Sequence, residues 1–419
     1  MLPCSADHRG LCRASSAGYL SLLLFSVLVT ISAACSNGNC QVLEACAAAT
    51  DCGPGLYCGN CPASGKNQPV CTRGQATAPT SIINGLPFNK YTWLVTHNSF
   101  SIVDAPPLPG VQRLTFYNQE DTVTNQLRFL KNEIIKSLKT ADFERLFIMC
   151  ALGFSQQPAI NTLTEVEAFL SQNPTEIVTI ILEDYVKAPK GLTTLFTNAG
   201  LVKYWFPVSK MPRKGEDWPT VTEMVQENHR LLVFTSDGSK EAIEGIAYQW
   251  KYMVENESGD PGVKPGSCPK RKESKPLNSK SASLFFQNYF PTYPVEAEAC
   301  QEHSTSLEEM VDTCYKAARA MPNFLAVNFY MRSDGVGVFD AVDRMNGRTL
   351  CGCSTVSACQ AGAPFGSCKN VSIPTRSPVT NNAGSFTGSV QFARSASTVY
   401  SPNRLVVFMF YIPLMAFWL

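Results

Sequence analysis

Three things are scarce in this chain. Neither charge is in surplus, since 35 Lys and Arg stand against 34 Asp and Glu for a net +1; no long-range field draws the protein to a polyanion, and no nucleic-acid module is recognisable. Long apolar runs are also missing. The stretches 19–31 and 405–419 both fall short of the ~20 residues that a bilayer span needs. Histidine is rarest of all, with four in 419 residues, so chemistry that needs two imidazoles has few places to find them.

Cysteine, by contrast, is plentiful. Arg9 and Arg13 precede the apolar run 19–31, and Ser32-Ala33-Ala34 supplies the small residues that a signal peptidase requires, so residues 1–34 read as a secretory signal and Cys35 becomes the first residue. Of the 17 cysteines, Cys4 and Cys12 leave with that signal. The fifteen that remain are too many for a reducing compartment without a zinc pattern, and they predict an oxidised, extracellular chain. Residues 35–79 carry Cys35, Cys40, Cys46, Cys52, Cys58, Cys61 and Cys71 in a Gly/Ala/Asn-rich stretch with too few large apolar side chains for its own core. Disulfides are expected to hold it together. Cys58-Gly-Asn-Cys61 has redox or zinc spacing but no βαβ surroundings, so a structural role is preferred. Cys351, Cys353, Cys359 and Cys368 close the folded region, with Cys268, Cys300 and Cys314 between, and the positions leave connectivity open. Setting Cys150 aside leaves an even fourteen, which makes it the expected free thiol. Asn256-Glu257-Ser258 and Asn370-Val371-Ser372 are glycosylation sequons at Asn256 and Asn370.

The C-terminus has a separate logic. A polar Ser/Thr/Asn/Gly-rich stretch, 371–404, runs into the apolar 405–419 after small residues such as Asn382-Ala383-Gly384 or Ser395-Ala396-Ser397. This pattern is that of a glycosylphosphatidylinositol (GPI) attachment signal, whose tail is removed. A spanning anchor fits less well, because the run is short and lacks a cytoplasmic Lys/Arg flank. The attachment residue stays open. A secreted protein held at the cell surface is the expectation.

Between them, residues 80–370 alternate strand-like and helix-like runs. Helical spacing over 163–173 precedes an apolar strand at 177–182, the helical run 221–227 precedes a strand at 231–234, and strand-like runs follow at 283–290 and 324–330. Alternation on this scale argues for parallel strands with crossover helices, and the length suits one barrel of the ~250-residue class. Periodicity alone does not separate a barrel from an open sheet. Two strand ends carry chemistry: Thr96-His97-Asn98-Ser99 follows the apolar run 91–95, and Glu183-Asp184 follows 177–182. One supplies a proton carrier and an amide, the other anionic oxygens, at the end of a strand where a β/α barrel keeps its site.

At these residues the chain resembles the phosphatidylinositol-specific phospholipase C X-domain family, in particular its plant branch of secreted phospholipase C-like phosphodiesterases. The resemblance spans most of 35–368, through LPFNKYTWLVTHNSF (86–100), QPAIN (157–161), VTIILEDYV (178–186), FPVSKMPRKGEDWPT (206–220), RLLVFTS (230–236) and NFLAVNFYMRSDG (323–335). It implies an α/β fold, an irregular TIM-type β/α barrel behind the N-terminal Cys-rich disulfide segment. It also implies a phospholipid or phosphoinositide substrate reached at a membrane surface. By the same resemblance His97 is one of two catalytic histidines, while Asn98 and Glu183 are metal ligands whose hard oxygens suit Ca²⁺ or Mg²⁺. Asp184 is either a supporting partner of that site or the cap of the following turn.

One interval departs from the pattern. Relatives carry an Asp-containing GLMLDMYDF-like strand and then a Leu-Cys-His-Ser segment with the second histidine, whereas residues 128–156 here read RFLKNEIIKSLKTADFERLFIMCALGFSQ, with no His. Leu127, Leu130, Ile134 and Leu138 follow helical spacing with Lys131, Glu133, Lys136 and Lys139 between them, which predicts an amphipathic helix in place of the acidic strand. Asp142 and Glu144 fall outside the motif and receive no role. His229 precedes the 231–234 strand and His303 lies beside Cys300 in a polar helix start; both are expected at the surface. The chain therefore reads either as a family member that has lost half its site or as the product of an alternative or misassembled transcript. The basic cluster Lys264, Lys270, Arg271, Lys272, Lys275 and Lys280 reads as a solvated insertion loop, with anionic headgroups as the alternative contact. Three functions follow: an impaired phosphoric diester hydrolase, a non-catalytic cell-surface binding protein, or a Cys-rich binding segment supported by the barrel.

Overall fold

Each apolar run that ends in polar residues becomes a short strand, and eight of them line up in parallel. The computed structural model describes residues 35, 37–65, 68–103, 116–129, 134–136, 159–335 and 337–371. The signal segment, Cys150 and the C-terminal tail lie outside the described residues. An antiparallel hairpin, β1 (Leu56–Gly59) with β2 (Val70–Arg73), belongs to the Cys-rich segment. The main sheet contains β3 (Trp93–His97), β4 (Ile134–Lys136), β5 (Val178–Leu182), β6 (Leu231–Thr235), β7 (Ala247–Tyr248), β8 (Met253–Glu255), β9 (Leu284–Asn288) and β10 (Phe324–Val327). Its order is β7-β6-β5-β4-β3-β10-β9-β8, and each neighbouring pair is parallel.

The two sheet ends meet in the chain itself. One helical turn, Gln249–Tyr252, links β7 directly to β8, while no ladder joins those strands among the described residues. A barrel closed by a turn instead of by hydrogen bonds is the irregular β/α barrel expected from the sequence.

Side-chain alternation then sorts the strands into two layers. Val95, Ile181, Phe234, Met253, Phe286 and Ala326 pack together inside the barrel. Their neighbours face the outer helices: Val178, Ile180 and Val233 meet Leu163, Val166 and Phe196, and Leu94, Phe285 and Leu325 meet Leu307, Met310 and Val342. Burial on both faces explains why these strands read as continuous apolar runs. Carrying the inward alternation to the strand ends places His97, Glu183, Glu255, Asn288 and Asn328 at one mouth. The sequence is thus committed to a polar mouth on an apolar barrel.

The interval around β4 corrects one expectation. In its described part Ile134–Lys136 form a strand, with Val95, Thr96 and His97 opposite on one side and Thr179, Ile180 and Ile181 on the other. Two neighbouring strand edges each offer unpaired backbone groups at this position. That tertiary demand overrides the local helical period.

Seven disulfides join all fourteen described cysteines: Cys35–Cys40, Cys46–Cys58, Cys52–Cys71, Cys61–Cys300, Cys268–Cys314, Cys351–Cys359 and Cys353–Cys368. Cys58 and Cys61 thus have different partners, so their spacing forms no redox pair. The Cys61–Cys300 bond fastens the Cys-rich segment to the barrel. A second link is ionic: Arg73 Nη1 lies 2.6 Å from Asp343, whose carboxylate also accepts from the Thr77 amide and hydroxyl. Burial pushes the Asp343 carboxyl up, against the opposing pull of Arg73. Removing one partner of such a buried pair typically costs about 3–5 kcal/mol.

Candidate active site at the barrel mouth

His97 ends β3 and is locked on three sides. Its Nδ1 lies 2.9 Å from Asn328 Oδ1, which also accepts from Asn118 Nδ2 at 2.9 Å, and Asn118 Oδ1 in turn accepts from Asn98 Nδ2 at 3.3 Å. With the amides so oriented, Asn328 is an acceptor, Nδ1 carries the proton, and Nε2 is the nitrogen that exchanges a proton with a ligand. Phe290 stacks on the imidazole with centroids 3.7 Å apart and planes 5° from parallel. Gln119 ties β3 to β10 behind the ring, donating to the His97 and Val327 carbonyls.

The backbone turns that aim these groups are unusual ones. Asn98 has φ 48°, a conformation Asn tolerates, and the turn is closed by Thr96 and Ser99 hydroxyls 2.7 Å apart. Phe329 has φ 43°, a strained setting for a bulky residue, and its amide donates to the Asn118 carbonyl. Strain of this kind costs on the order of 1–3 kcal/mol and gathers at functional sites. Here it directs Asn328 toward His97.

Opposite His97 the cleft is lined by Glu183, Ser236, Gln249, Trp250, Glu255, Ser258 and Arg271. Glu183 accepts from the Tyr185 hydroxyl at 3.1 Å. Asp184 takes the turn-capping role: its carboxylate accepts from the Val186 amide and the Thr235 hydroxyl. Burial raises the Asp184 carboxyl despite these bonds. Glu255, at the end of β8, is fully buried and receives three neutral donors, from Gln249, Trp250 and Asn288. Arg271 sits 3.6 Å from it and lies over the Trp250 ring. Burial pulls the guanidinium down, but Glu255, Glu273 and Glu183 outweigh it and hold Arg271 charged. The loop read from sequence as solvated does expose Lys264, Lys270, Lys272 and Lys280, but Arg271 departs from that reading: its N donates to the Glu255 carbonyl, and Asn256 pairs with Lys270 in a backbone bridge.

Several other expectations meet the structure here. His303 is buried, not superficial; Nδ1 bonds the Arg332 carbonyl at 2.8 Å, and burial pushes its pKa down to about 4. His229 is half-buried beside Glu227 and edges onto Phe206. Neither lines the cleft. Asn256 is fully buried with both amide atoms bonded to the Asn288 backbone, which leaves no room for a glycan on the folded chain, whereas Asn370 is exposed. Asn328, Asn288, Glu255 and Asn118 were missed by sequence reasoning, although polar residues ending β8, β9 and β10 carry the same signal that exposed His97.

The cation donors fall short of a cage. Asn98 Oδ1 is buried without a hydrogen-bond partner, as a ligand oxygen would be, and Glu183 lines the cleft. Among the described residues, however, the only groupings of three or more His, Cys, Asp or Glu ligands involve disulfide cysteines. Calcium takes about six to eight oxygens, so this donor set does not fit it and no step is derived through it.

Comparison with known proteins places the chain in a family. Residues 88–343 match the family description PI-PLC X 1. A PI-PLC X domain-containing protein of Arabidopsis thaliana is 66% identical over 99% of this chain and 99% of its own length. PI-PLC X domain-containing protein 1 of Arthroderma benhamiae is 25% identical, covering 65% of this chain and 91% of that protein. A solved phosphatidylinositol-specific phospholipase C from Staphylococcus aureus aligns at 12% identity and TM-score 0.39, over 64% of this chain and 95% of that one. The Listeria monocytogenes enzyme aligns at 14% and 0.39, over 60% and 92%. Together, the family match across most of the barrel and the end-to-end likeness to the plant protein show that this chain belongs to the PI-PLC X domain family.

Proposed function

We propose that this chain is a phosphodiesterase of phospholipase C type, acting on a phospholipid or phosphoinositide headgroup with a one-histidine site. The observation that carries the reading is His97, oriented by Asn328 and Phe290 at the mouth of the barrel. Phospholipase C chemistry removes a proton from an attacking inositol hydroxyl and delivers one to the leaving alkoxide. His97 serves the first task through Nε2. For the second there is no paired histidine: His8 belongs to the signal segment, and His229 and His303 stand away from the cleft. Water must supply that proton, so turnover is slow. The lack of a second imidazole equally favours a second reading, a surface protein that binds the headgroup and releases it unchanged.

A membrane-facing mouth supports either reading. Tyr185 follows β5, Tyr293 and Val295 follow β9, and Phe116 meets Tyr293 edge-on; all four are exposed. Secretion and GPI attachment complete the proposal, supported by seven disulfides and by the terminal signals in the sequence. The direct test is purified mature protein on phosphatidylinositol vesicles, with calcium or chelator. Slow turnover that His97→Ala abolishes supports the enzyme; binding without turnover supports the second reading; neither binding nor turnover refutes both. Calcium is expected to change the rate less than about twofold.

A further inference from the structure

We propose that Arg271 is the phosphate-receiving residue of the cleft and that Glu255 is its positioning counter-ion, an assignment that rests on the phosphodiester reading. Among the described residues that line the cleft, Arg271 is the only Lys or Arg. Its loop is stitched to the end of β8 by Arg271 N donating to the Glu255 carbonyl, Glu257 N to the Pro269 carbonyl and Glu255 N to Ser274 Oγ. The guanidinium therefore hangs from a barrel strand and is not carried by a solvated loop.

Geometry decides what that guanidinium does. In an ordinary buried ion pair the Arg fork and carboxylate satisfy each other at about 2.7–2.9 Å. Here Glu255 is already supplied by Gln249 Nε2, Trp250 Nε1 and Asn288 Nδ2 at 2.8–3.0 Å, and the nearest guanidinium nitrogen stays 3.6 Å away, past hydrogen-bond length. Glu255 thus contributes charge without occupying the donors. Arg271 Nε bonds Glu273 at 3.1 Å, and the ring of Trp250 fixes the plane from 5.5 Å. What remains is an oriented pair of terminal nitrogens in a cleft that also contains His97, and a planar fork of that kind matches two oxygens of a phosphoryl group.

The test measures binding, so it does not depend on turnover. Full-length mature protein, wild type and the variants Arg271→Gln, Arg271→Lys and Lys272→Gln, is titrated calorimetrically with inorganic phosphate, with inositol 1-phosphate and with phosphatidylinositol vesicles, each variant first matched to wild type by thermal melting. Arg271→Gln is expected to weaken all three ligands at least tenfold; Arg271→Lys recovers part of the affinity, and Lys272→Gln, at an exposed neighbour, leaves it nearly unchanged. Selective loss with vesicles and inositol 1-phosphate but not inorganic phosphate assigns the site to the lipid headgroup; equal loss assigns it to the phosphoryl group alone. Equal affinities for wild type and folded Arg271→Gln overturn the proposal. If His97→Ala still abolishes turnover in that case, the phosphodiesterase reading survives without it.

Discussion

The two sides of the barrel mouth are built to different standards. Along β8, β9, β10 and β3, the strand-end residues Glu255, Asn288, Asn328 and His97 interlock through buried hydrogen bonds, with Phe290 stacked over the imidazole. At the end of β5, Glu183 accepts from the exposed Tyr185 hydroxyl. One half holds an anion and an imidazole in place. The other, where relatives resembling this chain keep acidic residues and their second proton carrier, contributes one carboxylate among the described residues. Because every β/α strand end donates its side chains independently, one sector can be rewritten while the rest retains its geometry.

Three experiments bear on that contrast. The largest effect is expected from replacing residues 128–156 with a family-type segment bearing the acidic strand and the second histidine. Phosphatidylinositol turnover should rise about 10²–10⁴-fold, the usual worth of one general acid; a chimera that folds without gaining rate would show that the intact half is defective too. Next comes the same substitution on both sides. Glu255→Gln disturbs three donors and strips Arg271 of its buried counter-charge, so it should lower stability by about 3 kcal/mol, while Glu183→Gln should cost under about 1 kcal/mol at its more open position. Equal costs in urea unfolding would erase the distinction.

The smallest effect concerns pH. Glu120, next to Gln119 on the ordered side, is pushed up to about 8 by burial, more than Arg332 can offset. Its folded pKa exceeds the unfolded one, so the folded state holds a proton that the unfolded state has released, and stability falls as pH rises from about 4.5 to about 8. His303 acts in the opposite sense: lowered to about 4, its contribution is lost as pH falls from 6.5 through about 4. Above pH 6.5 only the Glu120 slope persists of these two, and Glu120→Gln should flatten the fall in melting temperature between pH 6.5 and 8. An unchanged slope would mean that Glu120 is ionised throughout.

Most of the barrel was legible because strands buried on both faces leave unbroken apolar runs, as at 177–182 and 324–330. His97 and Glu183 were legible for the related reason that a polar residue ending such a run points into the mouth. The fourteen cysteines that parity left after setting Cys150 aside do pair with one another, while Cys150 itself lies outside the described residues. Arg271 was hidden because its position depends on backbone bonds between the 264–280 loop and β8, which leave no periodicity. β4 was misread as helix because its two flanking strands, not its own sequence, demand an extended chain. The buried states of Asn256 and His303 follow likewise from neighbours 32 and 29 residues away, on Asn288 and Arg332.

The Cys61–Cys300 bond turns the chain between those residues into a covalent ring, 239 residues from one cysteine to the other. His97, Glu183, Glu255 and Arg271 lie inside it, as does the rewritten 128–156 interval. A ring can be opened once without falling apart. A protease cutting a loop at any one point within it would leave two polypeptide ends and a single molecule, separable only after reduction. Under the secretion proposed above, the site would outlast the first cut of an extracellular protease.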